Sequence, residues 1–140
     1  MRLVITTPTA VIADLSDVSA VRAEDASGSF GILEGHTDFL TVLAISILRW
    51  RGKDDGEHYC ALYQGILTVK GGTEVMVATR EAVRGTDPEQ LESAVLSRFR
   101  TSAEEEEAAR ADAARLELSA IRRIIRYLRP GGASILGEER

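Results

Sequence analysis

Glycine placement divides this chain of 140 residues more sharply than any other feature. Nine of its 12 glycines fall between Gly28 and Gly85, and none falls from Thr86 to Pro130. Gly131, Gly132 and Gly137 follow. Glycine supplies the positive φ that tight turns need and weakens a helix interior by about 1 kcal/mol. A turn-rich half therefore precedes a helical half. The expected division is a β-domain over 1–85, a helical arm over 86–130 and a flexible tail over 131–140.

The first half reads as short strands. Arg2 to Thr6 is apolar and β-branched and ends at the turn signal Thr7-Pro8-Thr9. Ala10 to Ala13, Val18 to Ala23, Ser29 to Leu33 and Phe39 to Leu43 follow. Ala44 to Trp50 and Glu57 to Gln64 alternate. In the second of these, Cys60 and Leu62 oppose Tyr59, Ala61 and Tyr63. Ile66 to Val69 runs into Gly71-Gly72, a two-residue hairpin signal, and Val75 and Val77 share the next strand's face. Turns this closely spaced indicate an antiparallel sandwich or flattened barrel.

The second half opens on Asp87 as N-cap, Pro88 as first helical residue and Gln90 as capping-box partner. Leu91, Val95 and Phe99 then form one apolar stripe. Thr101-Ser102 with Glu105 is a second capping box, which predicts a break and a second helix from about Ala103 to Arg129. Pro130-Gly131-Gly132 would stop it. On that helix Glu104 to Glu107 would occupy the first turn and Arg122, Arg123, Arg126 and Arg129 the end, a polarity that favours the helix dipole. Ala111, Ala114, Leu118, Ile121, Ile125 and Leu128 make a seam that must pack on something.

Several function classes are disfavoured. The net charge of −5 argues against non-specific nucleic-acid binding through the four arginines. The single cysteine permits no intrachain disulfide. The N-terminus lacks a signal-peptide pattern, and no apolar stretch approaches the ~18 residues of a membrane span, so a soluble, cytoplasmic chain without direct membrane insertion is expected. His36 and His58 have no partners at metal-ligand spacing. Cys60 sits among apolar neighbours as a buried, inert thiol. No acid–base pair, triad or phosphate loop is present, so neither catalysis nor a cofactor is expected.

The most specific stretch is Gly28-Ser29-Phe30-Gly31-Ile32-Leu33-Glu34-Gly35-His36-Thr37-Asp38-Phe39-Leu40-Thr41-Val42-Leu43. It resembles the segment Gly-x-Phe/Leu-Gly-Ile-Leu-Pro-Gly-His-x-Pro-Leu-Leu-Thr-x-Leu of the ε subunit of bacterial F-type ATP synthases. Tyr63-Gln64-Gly65-Ile66-Leu67-Thr68-Val69 is similar to that family's Ser-Gly-Gly-x-Leu-x-Val strand pair. Ala82-Val83-Arg84-Gly85 looks like its junction with the arm. Both motif prolines are replaced, by Glu34 and Asp38, as in divergent members that belong to an alternative synthase type.

The resemblance implies a mainly β plus α fold: an N-terminal antiparallel sandwich of about ten strands followed by a C-terminal two-helix hairpin. It implies a non-catalytic rotor subunit at the cytoplasmic face of the bacterial inner membrane, bound to γ and the c-ring and coupling proton or sodium flow to ATP synthesis. Its arm would reach the catalytic αβ head and inhibit ATP hydrolysis. By residue match Ser29, Phe30, Gly31, His36 and Asp38 would contact the rotor, and Arg122, Arg123, Arg126 and Arg129 would form the inhibitory strip. Some members bind ATP through Ile/Leu-Asp-x-x-Arg-Ala. Here that stretch is Pro88-Glu89-Gln90-Leu91-Glu92-Ser93, with a glutamate at the arginine position, so no ATP binding is expected. The alternative class is a free-standing binding module that dimerises through its arm.

Overall fold

The computed structural model describes residues 1–54 and 56–128. The expected flexible tail, Arg129 and the Pro130-Gly131-Gly132 stop lie outside these residues. Ten strands form in chain order: β1 (Arg2–Thr6), β2 (Val11–Leu15), β3 (Val18–Asp25), β4 (Gly28–Leu33), β5 (Phe39–Leu43), β6 (Ser46–Gly52), β7 (Glu57–Leu62), β8 (Gly65–Lys70), β9 (Glu74–Ala78) and β10 (Ala82–Gly85). They hydrogen-bond in the order β10-β7-β6-β3-β5-β8-β9-β1-β2, with β4 also on β3.

One link in that order is weak. β3 meets β5 only at Asp25 opposite Leu43. The sheet turns there into two leaves, β10-β7-β6-β3-β4 and β5-β8-β9-β1-β2. Leu48, Cys60 and Leu62 from the first leaf join Leu3, Leu67, Val75 and Val77 from the second in a single core, which makes the fold a β-sandwich. Asp25 pins the corner. Its carboxylate accepts from the Ser27 hydroxyl and backbone N–H and, at 2.7 Å, from the Thr41 hydroxyl. These bonds, Ser27's first, hold its pKa below the ordinary 3.8.

The strands follow the expected alternation, with β9 burying Val75 and Val77 and exposing Met76. One pairing is parallel, β1 on β9. Between β8 and β9, Gly71 and Gly72 take φ of +63° and +69°, and Thr73 donates its N–H to the Lys70 carbonyl, a type I′ turn.

β7 departs from a one-sided strand. Cys60 and Leu62 face the sandwich core, yet Ala61 and Tyr63 on the other face are also buried. The start of the helical region covers them: the Phe99 ring centroid lies 5.3 Å from that of Tyr63. That region is α1 (Pro88–Gln90), a π-helical turn (Leu91–Leu96) and α2 (Ser97–Tyr127). Asp87 caps it by accepting from the Glu89 N–H at 3.0 Å.

Two expectations fail here. No break occurs at Ser102; α2 runs through it, so the described helical part is one run and not a hairpin. A capping box marks a start, but neither glycine nor proline precedes Thr101 to stop the first helix. Glu104 to Glu107 consequently lie inside α2 and not in a first turn, which removes the dipole account of that acidic run. The second failure concerns the stripe. Leu91, Leu96 and Phe99 are buried, and Val95 only partly so. A π-turn carries an extra residue, which shifts the inward position from Val95 to Leu96.

The chain divides into two compact units, Met1–Arg100 and the residues from Thr101 onward. The packed start of the helical region, Leu91 to Phe99, therefore belongs to the sandwich unit.

Candidate functional site

The motif expected to touch the rotor spans β4 and the loop to β5. Strand alternation divides its residues. Ser29 and Gly31 lie on the outer face, across from Glu24 and Arg22 of β3. Phe30 turns the other way, packs against the core and meets Phe39 edge-on at 5.6 Å. His36 lies against Phe39 as well, with ring centroids 5.7 Å apart. Its Nδ1 is 2.7 Å from the Thr37 carbonyl oxygen. A carbonyl only accepts, so Nδ1 carries the proton.

Asp38 has a structural partner. Its Oδ1 accepts the Gly71 N–H at 2.9 Å, and the Gly35 N–H donates to the Gly72 carbonyl at 2.8 Å. These two bonds tie the motif loop to the β8–β9 turn. The approach is close enough to demand glycine: a Cβ on Gly72 would stand 2.8 Å from the Gly35 Cα. The loop is thus fixed by cross-bonds in place of the prolines it lacks. The structure gathers Phe30, His36 and Asp38 at one end of the sandwich and leaves Ser29 and Gly31 on its outer face.

A larger feature escaped the sequence reading. On the outer face of the second leaf, Val42 pairs with Ile66 across β5 and β8, and Leu40 and Met76 flank Thr68. Leu40 and Val42 are 65% exposed, Ile66 47% and Met76 48%. Four large apolar side chains on one sheet face form a patch of the kind that marks an interaction site. Its signal lay in β5, where Phe39-Leu40-Thr41-Val42-Leu43 is apolar on both faces although the strand has one core to fill.

In the second unit, Arg122, Arg123 and Arg126 are exposed on α2, and Arg129 lies outside the described residues. The seam residues Leu118, Ile121, Ile125 and Leu128 are exposed too, as are Leu116, Ile124 and Tyr127, which the seam did not include. Near the helix start, Glu92 is held at 3.1 Å by Arg100. His58 of β7 stacks on Trp50 at 5.7 Å, and Arg84 lies over the same indole at 5.3 Å.

Residues 1–85 match the family model described as the ATP synthase delta/epsilon chain β-sandwich domain. The chain is 41% identical, over 93% of its length and 94% of the relative's, to a protein of Paraburkholderia xenovorans named ATP synthase epsilon chain 2. It is 40% identical, over 98% of its length and 94% of the relative's, to one of the same name from Cereibacter sphaeroides. Among solved structures, its fold resembles a chain of the Euglena gracilis mitochondrial ATP synthase, with a TM-score of 0.58 and 24% identity over 76% of this chain and 62% of that one. It also resembles a chain of the Tetrahymena thermophila mitochondrial ATP synthase central stalk/c-ring, with a TM-score of 0.52 and 18% identity over 68% of this chain and 72% of that one. The fold is the delta/epsilon β-sandwich followed by a helical region. The chain belongs to the ATP synthase epsilon chain family, and its likeness to the two chains numbered 2 agrees with the divergent type expected from Glu34 and Asp38.

Proposed function

We propose that this chain is a non-catalytic subunit of the central stalk of a rotary ATP synthase, docked on γ and on the c-ring and coupling proton or sodium translocation to ATP synthesis. The observation that carries the reading is the uncovered apolar face of Leu40, Val42, Ile66 and Met76. A folded sheet with a complete core on one side has no internal use for four large apolar groups on the other; burying them against a partner is favourable at roughly 25 cal/mol per Å². This face takes γ. The end of the sandwich that carries His36 and Asp38, with Phe30 beneath and Ser29 and Gly31 alongside, takes the c-ring. No helix of the described residues is long and apolar enough to cross a membrane, which fits attachment to the cytoplasmic face of the bacterial inner membrane through these partners. The arm, through Arg122, Arg123 and Arg126, with Arg129 beyond the described residues, meets the catalytic αβ head and restrains ATP hydrolysis.

Co-purification tests the assignment. Expressed in tagged form with its cognate synthase, the wild-type chain brings down γ and the c-ring. The Val42→Glu, Ile66→Glu double variant, folded by circular dichroism, loses γ. A double variant that retains γ at the wild-type level shows that the face is not the contact. A free-standing module that dimerises through α2 would bring down only itself.

A further inference from the structure

The outer face of the first leaf carries a charge arrangement that folding alone does not explain. Arg22 of β3 stands directly opposite Arg49 of β6. Like charges at opposed positions on neighbouring strands destabilise a sheet. Other exposed arginines of this unit are neutralised: Arg2 by Asp14 at 3.0 Å, Arg51 by Glu57 at 3.0 Å and Arg100 by Glu92 at 3.1 Å. Among the described residues, neither Arg22 nor Arg49 makes a direct ion-pair contact, and Arg49 attracts the Glu57 carboxylate only at longer range. Arg49 lies over the Tyr59 ring at 5.6 Å. The Arg22 guanidinium rests on the β4 backbone, so near that a Cβ on Gly31 would be 3.3 Å from its Nη1.

The pair also sits at the centre of a depression. On one side is a groove of about 340 Å³ that reaches Glu24, Ser29, Glu92 and Arg100. On the other is one of about 400 Å³ that reaches Leu33, Arg51 and Glu57. Both are lined by Arg22 and Arg49.

We propose that this depression, centred on the unpaired Arg22–Arg49 couple, docks an extended acidic segment of a partner protein. The reading of the chain as a docking subunit is its starting point, but the surface is distinct from the apolar face of the second leaf. Guanidinium groups bind carboxylates as planar forks and hold them in a fixed direction. In an extended segment, alternate side chains fall on one face about 6.8 Å apart, so successive carboxylates can reach separate arginines. The chain as a whole carries −5 and repels acidic peptides, so affinity for one has to come from a local site.

The probe is a fluorescein-labelled Glu-Val-Glu-Val-Glu-Val-Glu peptide titrated with the full chain at low salt and followed by anisotropy. Saturable binding is expected, weakened roughly three- to thirtyfold in the Arg22→Gln, Arg49→Gln double variant, as the loss of two surface charge pairs implies. The same double variant should melt no lower than wild type, because a repulsive pair has been removed. Arg2→Gln, on the second leaf, should leave the affinity unchanged. A double variant that binds within about twofold of wild type overturns the proposal. So does absence of saturable binding by the wild-type chain, and so does displacement of the peptide by pyrophosphate at concentrations below the peptide's own Kd, which would mark a small-anion site. The depression borders Ser29 and Gly31 of the proposed c-ring contact, so the Val42→Glu, Ile66→Glu variant separates the two readings: it should lose γ and still bind the peptide as wild type does.

Discussion

Truncating Leu96 to alanine separates the two helical registers. In a regular helix, Val95 is the residue one turn after Leu91 and should face the sandwich. With the π-turn in place, Leu96 takes that position and is 1% exposed, while Val95 is only partly buried. Deleting a fully buried leucine tip costs the transfer free energy and a cavity term, about 2–5 kcal/mol. Val95→Ala removes two methyl groups that are already half in water; at ~0.8 kcal/mol per buried carbon, this comes to about 1 kcal/mol or less. For a unit of this size, 1 kcal/mol moves the melting temperature by roughly 4–8 °C. Leu96→Ala should therefore lower Tm by about 10 °C or more, and Val95→Ala by under about 8 °C. Urea unfolding should give the same ranking, with a shifted midpoint and an unchanged slope. The segment can also open locally without global unfolding, and faster tryptic cleavage at Arg98 and Arg100 reports that event. Equal costs for the two substitutions, or a larger cost at Val95, refute the shifted register.

Cys60 predicts an alkaline weakness. Burial raises its thiol from an ordinary 9.0 to about 11, with Arg84 opposing the rise. The unfolded chain releases this proton at lower pH than the folded one, so the contribution is complete below pH 9 and is lost as pH rises toward 11, by about 1.4 kcal/mol per unit. Stability curves over that range should flatten in Cys60→Ala, and an equal slope in the variant counts against the assignment. Calorimetry with ATP and the isolated chain should show no binding at sub-millimolar concentration, because Glu92 occupies the arginine position and is already paired with Arg100. In the assembled synthase, charge reversal of Arg122 and Arg126 should raise ATP hydrolysis about two- to tenfold, since each surface pair is worth ~0–1 kcal/mol, and the gain should shrink with salt. Activation by truncation of the arm but not by charge reversal would mean that the arm acts by bulk.

The strands were legible because turn glycines and period-2 alternation are local signals. Gly71-Gly72 forms the expected turn, and Val75 and Val77 point inward together. The boundary of the helical half was legible from Asp87 and Pro88 for the same reason. What stayed hidden depends on partners distant in sequence. The pairing of Arg22 with Arg49 follows from strand register. Asp38 serves the Gly71 N–H, a contact no spacing rule reaches. The parallel β1–β9 pairing joins strands that bracket almost the whole sandwich. The π-turn has no residue signature, and Ser102 carries a start signal that neighbouring helix-forming residues override.

The central claim concerns coupling. Adding the purified chain to its cognate ATP synthase depleted of the epsilon subunit, reconstituted in vesicles, allows ATP hydrolysis and ion pumping to be recorded together. The account predicts that wild-type chain restores pumping per ATP hydrolysed and that the Val42→Glu, Ile66→Glu variant does not. Pumping that is unchanged by the wild-type chain, or restored equally by the variant, would contradict it.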